Sequence, residues 1–216
     1  RGWNVLHAIV DSIWIQDTKG RTLDEQHDSA MELAQHVHGM TGIPLEYEAT
    51  YRCIAFVPSR MHNGGSLTKY WAYGSDGLKI RGLELRQHST CSWIAQLQQH
   101  ALEMLAETED LVDGVPSYRV QCRVRNLLID ALNQLEHHRV SPEELVIAQR
   151  LSRKPSQHST QTVAMLAYQR SEALGFPLEL ASKVRFIVCT KNPKNPLERV
   201  VLARELNDRQ NIPRRI

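Results

Sequence analysis

The chain has 216 residues, of which 42% are hydrophobic and 23% charged, enough for one large domain or two modest ones with real cores. No apolar run reaches the roughly 20 residues that a membrane-spanning helix needs. Cys53, Cys91, Cys122 and Cys189 are scattered without a Cys-x-x-Cys pair, which argues against a zinc ribbon or disulfide framework and for reduced, cytosolic thiols.

Net charge is only +2, but it is unevenly spread. Residues 139–216 carry 14 Lys/Arg against 7 Asp/Glu, whereas residues 1–138 carry 12 against 17. That asymmetry fits either a cationic face aimed at a polyanion or an ordinary solvated basic surface.

In chain order, the opening Arg1-Gly2-Trp3-Asn4-Val5-Leu6 leads straight into an apolar strand, without a signal peptide's layout, and reads as a piece of a longer protein. Val5–Val10 and Ile13–Ile15 predict a β-hairpin with Asp11 at its tip, because β-branched and aromatic residues favour strands. Thr22 and Glu25 form a capping box. Behind it Ala30, Leu33, Ala34 and Val37 recur at helical spacing, and Gly39 predicts the stop. Pro44–Glu48 and Tyr51–Val57 predict strands. Tyr70–Tyr73 and Leu78–Arg81 predict a second hairpin about a Gly74-Ser75-Asp76-Gly77 turn.

Beyond residues 86–92 the pattern turns helical. Ile94, Leu97, Ala101 and Met104 mark one amphipathic helix, and Val120, Val124, Leu127, Ala131 and Leu135 a second. Ser141–Glu144 opens a short element. Val163, Leu166, Ala167 and Leu174 mark a third helix closed by Gly175, and Val184–Val188 a strand. From about residue 190 the chain is polar and Pro-containing, which predicts a peripheral tail. The fold class is therefore α+β, with residues 1–88 forming an antiparallel sheet with a helix and residues 89–216 a mostly α-helical domain.

A carboxylate on a rigid hairpin tip is what two-metal nucleotidyl transfer requires, since hard Mg²⁺ ions take carboxylate oxygens in fixed positions. Asp11 has that placement, although a lone Asp between apolar strands is usually a turn residue. The histidines give no zinc site: His36 and His38 point to different helix faces, and His137 and His138 are adjacent. His7 reads as a satisfied core histidine. No nucleophile elbow surrounds Ser12, and the glycines at 64, 65, 74 and 77 form neither a Walker loop nor a dinucleotide fingerprint. Trp71 and Tyr73 read as sheet packing. Arg150, Arg153, Lys154, Lys183 and Arg185 are candidates for phosphate contacts, which are cationic and largely blind to sequence.

The order of motifs resembles family B DNA polymerases across nearly the whole chain. His7-Ala8-Ile9-Val10-Asp11-Ser12 resembles the palm motif Tyr-Gly-Asp-Thr-Asp-Ser, and Leu45–Tyr51 the Leu-Glu-Leu-Glu-Lys-x-Tyr strand. Leu67-Thr68-Lys69-Tyr70 stands where the family has Lys-Lys-Arg-Tyr, and Lys79–Glu84 resembles its Lys-x-Lys-Gly-Leu-Glu strand. Ser89-Thr90 resembles the start of a thumb, and Glu143–Ile147 and Val184–Val188 resemble thumb segments.

The resemblance implies a C-terminal palm part over residues 1–88 and a thumb over 89–216. It implies Mg²⁺ as cofactor, with Asp11 as catalytic metal ligand and Glu48 near the same metal. It places Lys69, Tyr70, Lys79, Arg81, Arg150, Arg153, Lys154 and Arg185 against primer–template DNA. The implied partners are that duplex, a dNTP in the full-length protein and the rest of the polymerase chain, in a cytoplasmic, nucleoid-associated setting. Ile9 stands where the motif has its first Asp, His7 replaces the Tyr, and Leu67 and Thr68 replace the paired Lys. These departures resemble the divergent archaeal and bacterial group often presumed inactivated. The alternative they imply is a catalytically inactivated relative that binds DNA in replication or repair.

Overall fold

The structure, a computed structural model, describes residues 2–61, 64–106, 110–112, 115–151, 161–179, 181–190 and 193–207. The chain divides into two compact units, residues 1–82 and 83–216. No helix is long and apolar enough to cross a membrane among the described residues.

In the first unit, β1 (Trp3–Ile9) and β2 (Ser12–Asp17) form the antiparallel hairpin expected from their β-branched and aromatic residues. Ile9 pairs with Ser12, so the loop is only Val10 and Asp11. The pairing shifts between Val5 and His7, which leaves Leu6 as an extra residue and sets His7 directly opposite Trp14. Val10 lies at φ 50°, a left-handed conformation that a β-branched residue adopts only under strain.

The helix α1 (Leu23–Thr41) starts at the capping box: the Glu25 N–H donates to Thr22 Oγ1, and the Thr22 N–H donates to Glu25 Oε2. It does not stop at Gly39. It runs through to Thr41 and ends where Gly42, at φ 71°, turns left-handed and donates its N–H to the His38 carbonyl. A glycine ends a helix by its conformation, and Gly39 keeps helical geometry. The hairpin meets α1 through Trp3, whose Nε1 donates to Ser29 Oγ at 3.3 Å while the Arg21 guanidinium lies 5.2 Å over its ring.

The strand expected at Pro44–Glu48 is absent. That segment is irregular, because no neighbouring backbone offers it a ladder and Pro44 has no N–H to give. Its Tyr47 ring packs edge-on against His27, 4.5 Å between centroids. The strands β3 (Tyr51–Pro58), β4 (Gly65–Gly74) and β5 (Gly77–Arg81) form an antiparallel meander in that order. Gly74 pairs with Gly77 around a two-residue turn, as expected. Trp71 and Tyr73 lie half-buried in β4, as sheet packing requires.

In the second unit, α2 (Ser92–Ala106) and α3 (Tyr118–Glu136) pack together, joined by a link containing the short pair β6 (Leu111–Val112) and β7 (Val115–Pro116). Ser117 caps α3, accepting from the Val120 N–H and donating to Asp110 Oδ2 at 2.6 Å. After a 3₁₀ turn at Pro142–Leu145 come β8 (Ile147–Arg150), α4 (Val163–Ala173), β9 (Lys183–Val188) and β10 (Val200–Leu202). The three strands form an antiparallel sheet in the order β10–β9–β8.

Two expectations are corrected here. The core of this unit is built on a sheet rather than on helices alone: α4 packs Leu166 and Ala167 against Val184, Phe186, Val200 and Leu202. The stretch after residue 190 is not wholly peripheral, because Val200, Val201 and Leu202 are buried, with Val201 and Leu206 covering Ile187 on the other sheet face. A three-residue apolar strand between polar, Pro-containing segments shows no periodicity, so its burial comes from the sheet it completes. Beneath it Arg170 donates from Nε and Nη2 to the two oxygens of Glu205 at 2.7 and 2.6 Å. Glu205 also accepts the Leu202 N–H at 2.8 Å.

Candidate functional site

In the first unit, the candidate site is the hairpin tip. Asp11 is exposed there, fixed by the two-residue turn and by Ser12, whose hydroxyl donates to the Ile9 carbonyl at 3.3 Å. Behind the tip lies an aromatic cluster that docks the hairpin on the meander. His7 is 5% exposed and sits edge-on to Phe56 and Tyr70, 5.0 and 5.7 Å between centroids. It is the core histidine expected, but not a satisfied one: its Nε2 is buried among ring edges with no hydrogen-bond partner. Trp14 packs on Tyr51 at 4.9 Å and on Tyr70 at 5.6 Å.

Lys79 joins this cluster. Its ammonium pairs with the Glu48 carboxylate and lies 5.3 Å from the Trp14 ring and 5.7 Å from Tyr51. Partial burial alone would lower its pKa; the hydrogen bond to Glu48 and the neighbouring Tyr51 hold it above the usual lysine value. Burial pushes the Tyr51 phenol up. The arrangement therefore brings Glu48 and Lys79 together as an ion pair, each occupied by the other. Tyr70 is 5% exposed, its ring spent on packing between His7, Trp14 and Phe56. Lys69 is half-buried on β4, and Arg81 is exposed at the end of β5.

Mg²⁺ needs near-octahedral oxygen ligation, usually one or two carboxylates plus waters or phosphates. Among the described residues no group of three or more His, Cys, Asp or Glu side chains is gathered as such a site. Asp11 offers one free carboxylate, whereas that of Glu48 faces an ammonium. These residues do not assemble a metal site by themselves.

In the second unit, the candidate site is a basic sheet face. Arg150 lies directly opposite Lys183, and Ala148 opposite Arg185. Directly opposed residues share a face and successive residues alternate, so Arg150, Lys183 and Arg185 project from one side of the sheet. The same side is closed further along by Ile187, Val201 and Leu206, which leaves the cationic half uncovered by that cluster. Arg150 and Lys183, with His88, Ser89, Ala148 and Gln149, line a surface groove of about 590 Å³. The Ala148 N–H donates to the His88 carbonyl at 3.3 Å, which ties β8 to that loop. No carboxylate pairs with Arg150, Lys183 or Arg185 among the described residues. Arg153 and Lys154 lie outside the described residues. Sequence reasoning missed His88 in the groove and Trp14 over Lys79, since neither carries a spacing signal of its own.

A strained, carboxylate-tipped hairpin docked on an antiparallel meander is thus followed in the chain by a unit of helices and a sheet with a basic face. The family model for DNA polymerase family B matches residues 8–215, so the chain belongs to that family. A DNA polymerase of Archaeoglobus fulgidus is 26% identical over 188 residues, covering 87% of this chain and 21% of that protein. A solved family B DNA polymerase from Pyrobaculum calidifontis shares the fold with a TM-score of 0.62 at 15% identity, covering 96% of this chain and 24% of that one. The chain thus spans about a fifth to a quarter of the length of these relatives.

Proposed function

We propose that this chain is the C-terminal palm and thumb portion of a family B DNA polymerase and that it grips primer–template duplex through the phosphates. Residues 1–88 would be the palm part and residues 89–216 the thumb. The observation that carries the reading is the trio Arg150, Lys183 and Arg185 on one sheet face, without carboxylate partners among the described residues. Two of them, Arg150 and Lys183, lie side by side on adjacent strands, a like-charge pairing that costs folding energy and suits an anionic ligand. Arg81 and Lys69 would add contacts from the palm part.

The test is a salt titration of duplex binding by the 216-residue chain. Each phosphate contact contributes a slope of about −0.9 in log K against log salt. The variant Arg150→Ala/Lys183→Ala/Arg185→Ala should flatten that slope by about three contacts and weaken all sequences alike. A slope unchanged by the triple substitution would sink the phosphate grip.

A second reading, favoured by Ile9 in the motif and by Glu48 being held by Lys79, is a relative that binds DNA but has lost nucleotidyl transfer. In a parent that uses Mg²⁺ and dNTPs, Asp11 would supply one oxygen ligand, and ligands beyond these residues would be needed. Nucleotide incorporation by the full-length parent, abolished by Asp11→Ala, supports the enzyme; activity unchanged in that variant removes Asp11 from the chemistry. The 216-residue chain alone should incorporate no nucleotide.

A further inference from the structure

Lys79 stands on β5 where the family resemblance places a DNA-contacting cation, yet its side chain is only 19% exposed. Its ammonium faces Glu48 and lies within 5.3 Å of Trp14 and 5.7 Å of Tyr51. Four segments meet at that one charge: Trp14 from β2, Tyr51 from β3, Lys79 from β5, and Glu48 from the irregular segment before β3. The hairpin β1–β2 and the meander β3–β4–β5 are separate sheets with no shared ladder. Among the described residues, side chains therefore hold the hairpin against the meander, chiefly the cross-strand neighbours His7 and Trp14.

We propose that Lys79 is a positioning residue, which clamps the Trp14 face of the hairpin to the meander with Glu48 as its counter-ion and so fixes Asp11, rather than a contact to DNA. A cation over an indole face is attracted by the ring quadrupole, more strongly when it is shielded from water. Glu48 holds the ammonium beside the two rings, and its carboxylate offsets there the charge that a phosphate contact would need. The clamp acts on the hairpin itself, whatever the role of Asp11. Its importance for function rests on the reading of Asp11 given above.

Hydrogen exchange on the 216-residue chain tests it, followed beside the salt dependence of duplex binding. Lys79→Met keeps the aliphatic stem and removes the charge; it should speed exchange of the β1–β2 amides about tenfold relative to those of β3–β5. Glu48→Gln, a milder change, should do the same to a smaller degree, and the double variant should exchange no faster than Lys79→Met alone. Lys79→Arg, which keeps a cation over the rings, should restore protection, an outcome that mere space-filling would not give. The salt slope of duplex binding should be the same in all four.

If Lys79 instead meets a phosphate, Lys79→Met lowers the slope by about one contact with hairpin exchange unchanged, and Glu48→Gln, by freeing the ammonium, tightens binding. Either result overturns the clamp. Absence of duplex binding by the unaltered chain would count against the proposed function and leave the exchange result to stand or fall by itself.

Discussion

The two units hold together by different means. The second is closed by aliphatic and aromatic side chains that are fully out of water: Phe186 and Val200 are 0% exposed, and Ile187 and Leu202 are 2% exposed. In the first, α1 buries no residue fully, and the hairpin meets the meander through ring edges, one buried histidine and one caged ammonium. Burial of aliphatic groups is non-directional and grows with area, whereas ring-edge and cation contacts are weaker and depend on orientation. The first unit thus sets the direction of a small number of side chains, and the second supplies a firm body that presents a charged face.

This contrast can be broken most severely at the centre of the second unit. Phe186→Ala should cost about 3–5 kcal/mol, the toll of emptying a fully buried aromatic site, while exchange protection in β3–β5 stays unchanged. Denaturant unfolding with residue-resolved exchange reads both. Loss of protection in both units to the same extent would show that they unfold together and dissolve the distinction.

A somewhat smaller effect is expected at the charged pair Arg170–Glu205 in that core. Partial burial pushes the Glu205 carboxyl up, but the Arg170 guanidinium and the Leu202 N–H outweigh it and hold the group below the usual glutamate range. Glu205→Gln leaves Arg170 without its partner and should cost about 3 kcal/mol at neutral pH. A carboxylate with a lowered folded pKa adds stability above its unfolded value, near 4.3, and loses it as the pH falls through the folded one. The substitution should therefore matter fully at pH 7 and fade below about pH 4, as followed by urea midpoints across that range. A destabilisation that is equal at pH 3 and pH 7 would mean that the pair acts by packing rather than charge.

The smallest change sharpens the picture of the first unit. In the two-residue turn only Val10, the first central residue, has positive φ, the position where a tight hairpin turn favours glycine. Val10→Gly should relieve that strain and stabilise the hairpin by roughly 0.5 kcal/mol, after glycine's entropy cost is counted. Slower exchange of the β1–β2 amides would report it; faster exchange would show that Val10 carries no strain worth relieving.

Elements with a local cause were legible in the sequence. The capping box at Thr22 and Glu25, the hairpin at Gly74–Gly77 and the apolar stripes of α2, α3 and α4 each depend on residues a few positions apart. What escaped depends on distant partners. Gly39 and Gly42 look alike until the backbone chooses which turns left-handed, and Pro44–Glu48 reads as a strand until no neighbour pairs with it. Val200–Leu202 is buried because β9 and α4 lie against it, and Glu205 is buried because Arg170 arrives from 35 residues away. The candidate site shows the same division. Asp11 at a tip and basic residues near Arg150 could be read from the chain, but the pairing of Glu48 with Lys79 spans 31 residues and carries no spacing signal.

The side-by-side placement of Arg150 and Lys183 has one more outcome. Strand β8 lies at the sheet's edge, so their mutual repulsion works against its pairing with β9 whenever no anion sits between them. Dissolved ions shield that repulsion and also compete with a polyanion for the same two cations. Fold and the proposed grip therefore pull in opposite directions as ionic strength rises, the sheet edge tightening while any polyanion held there is released.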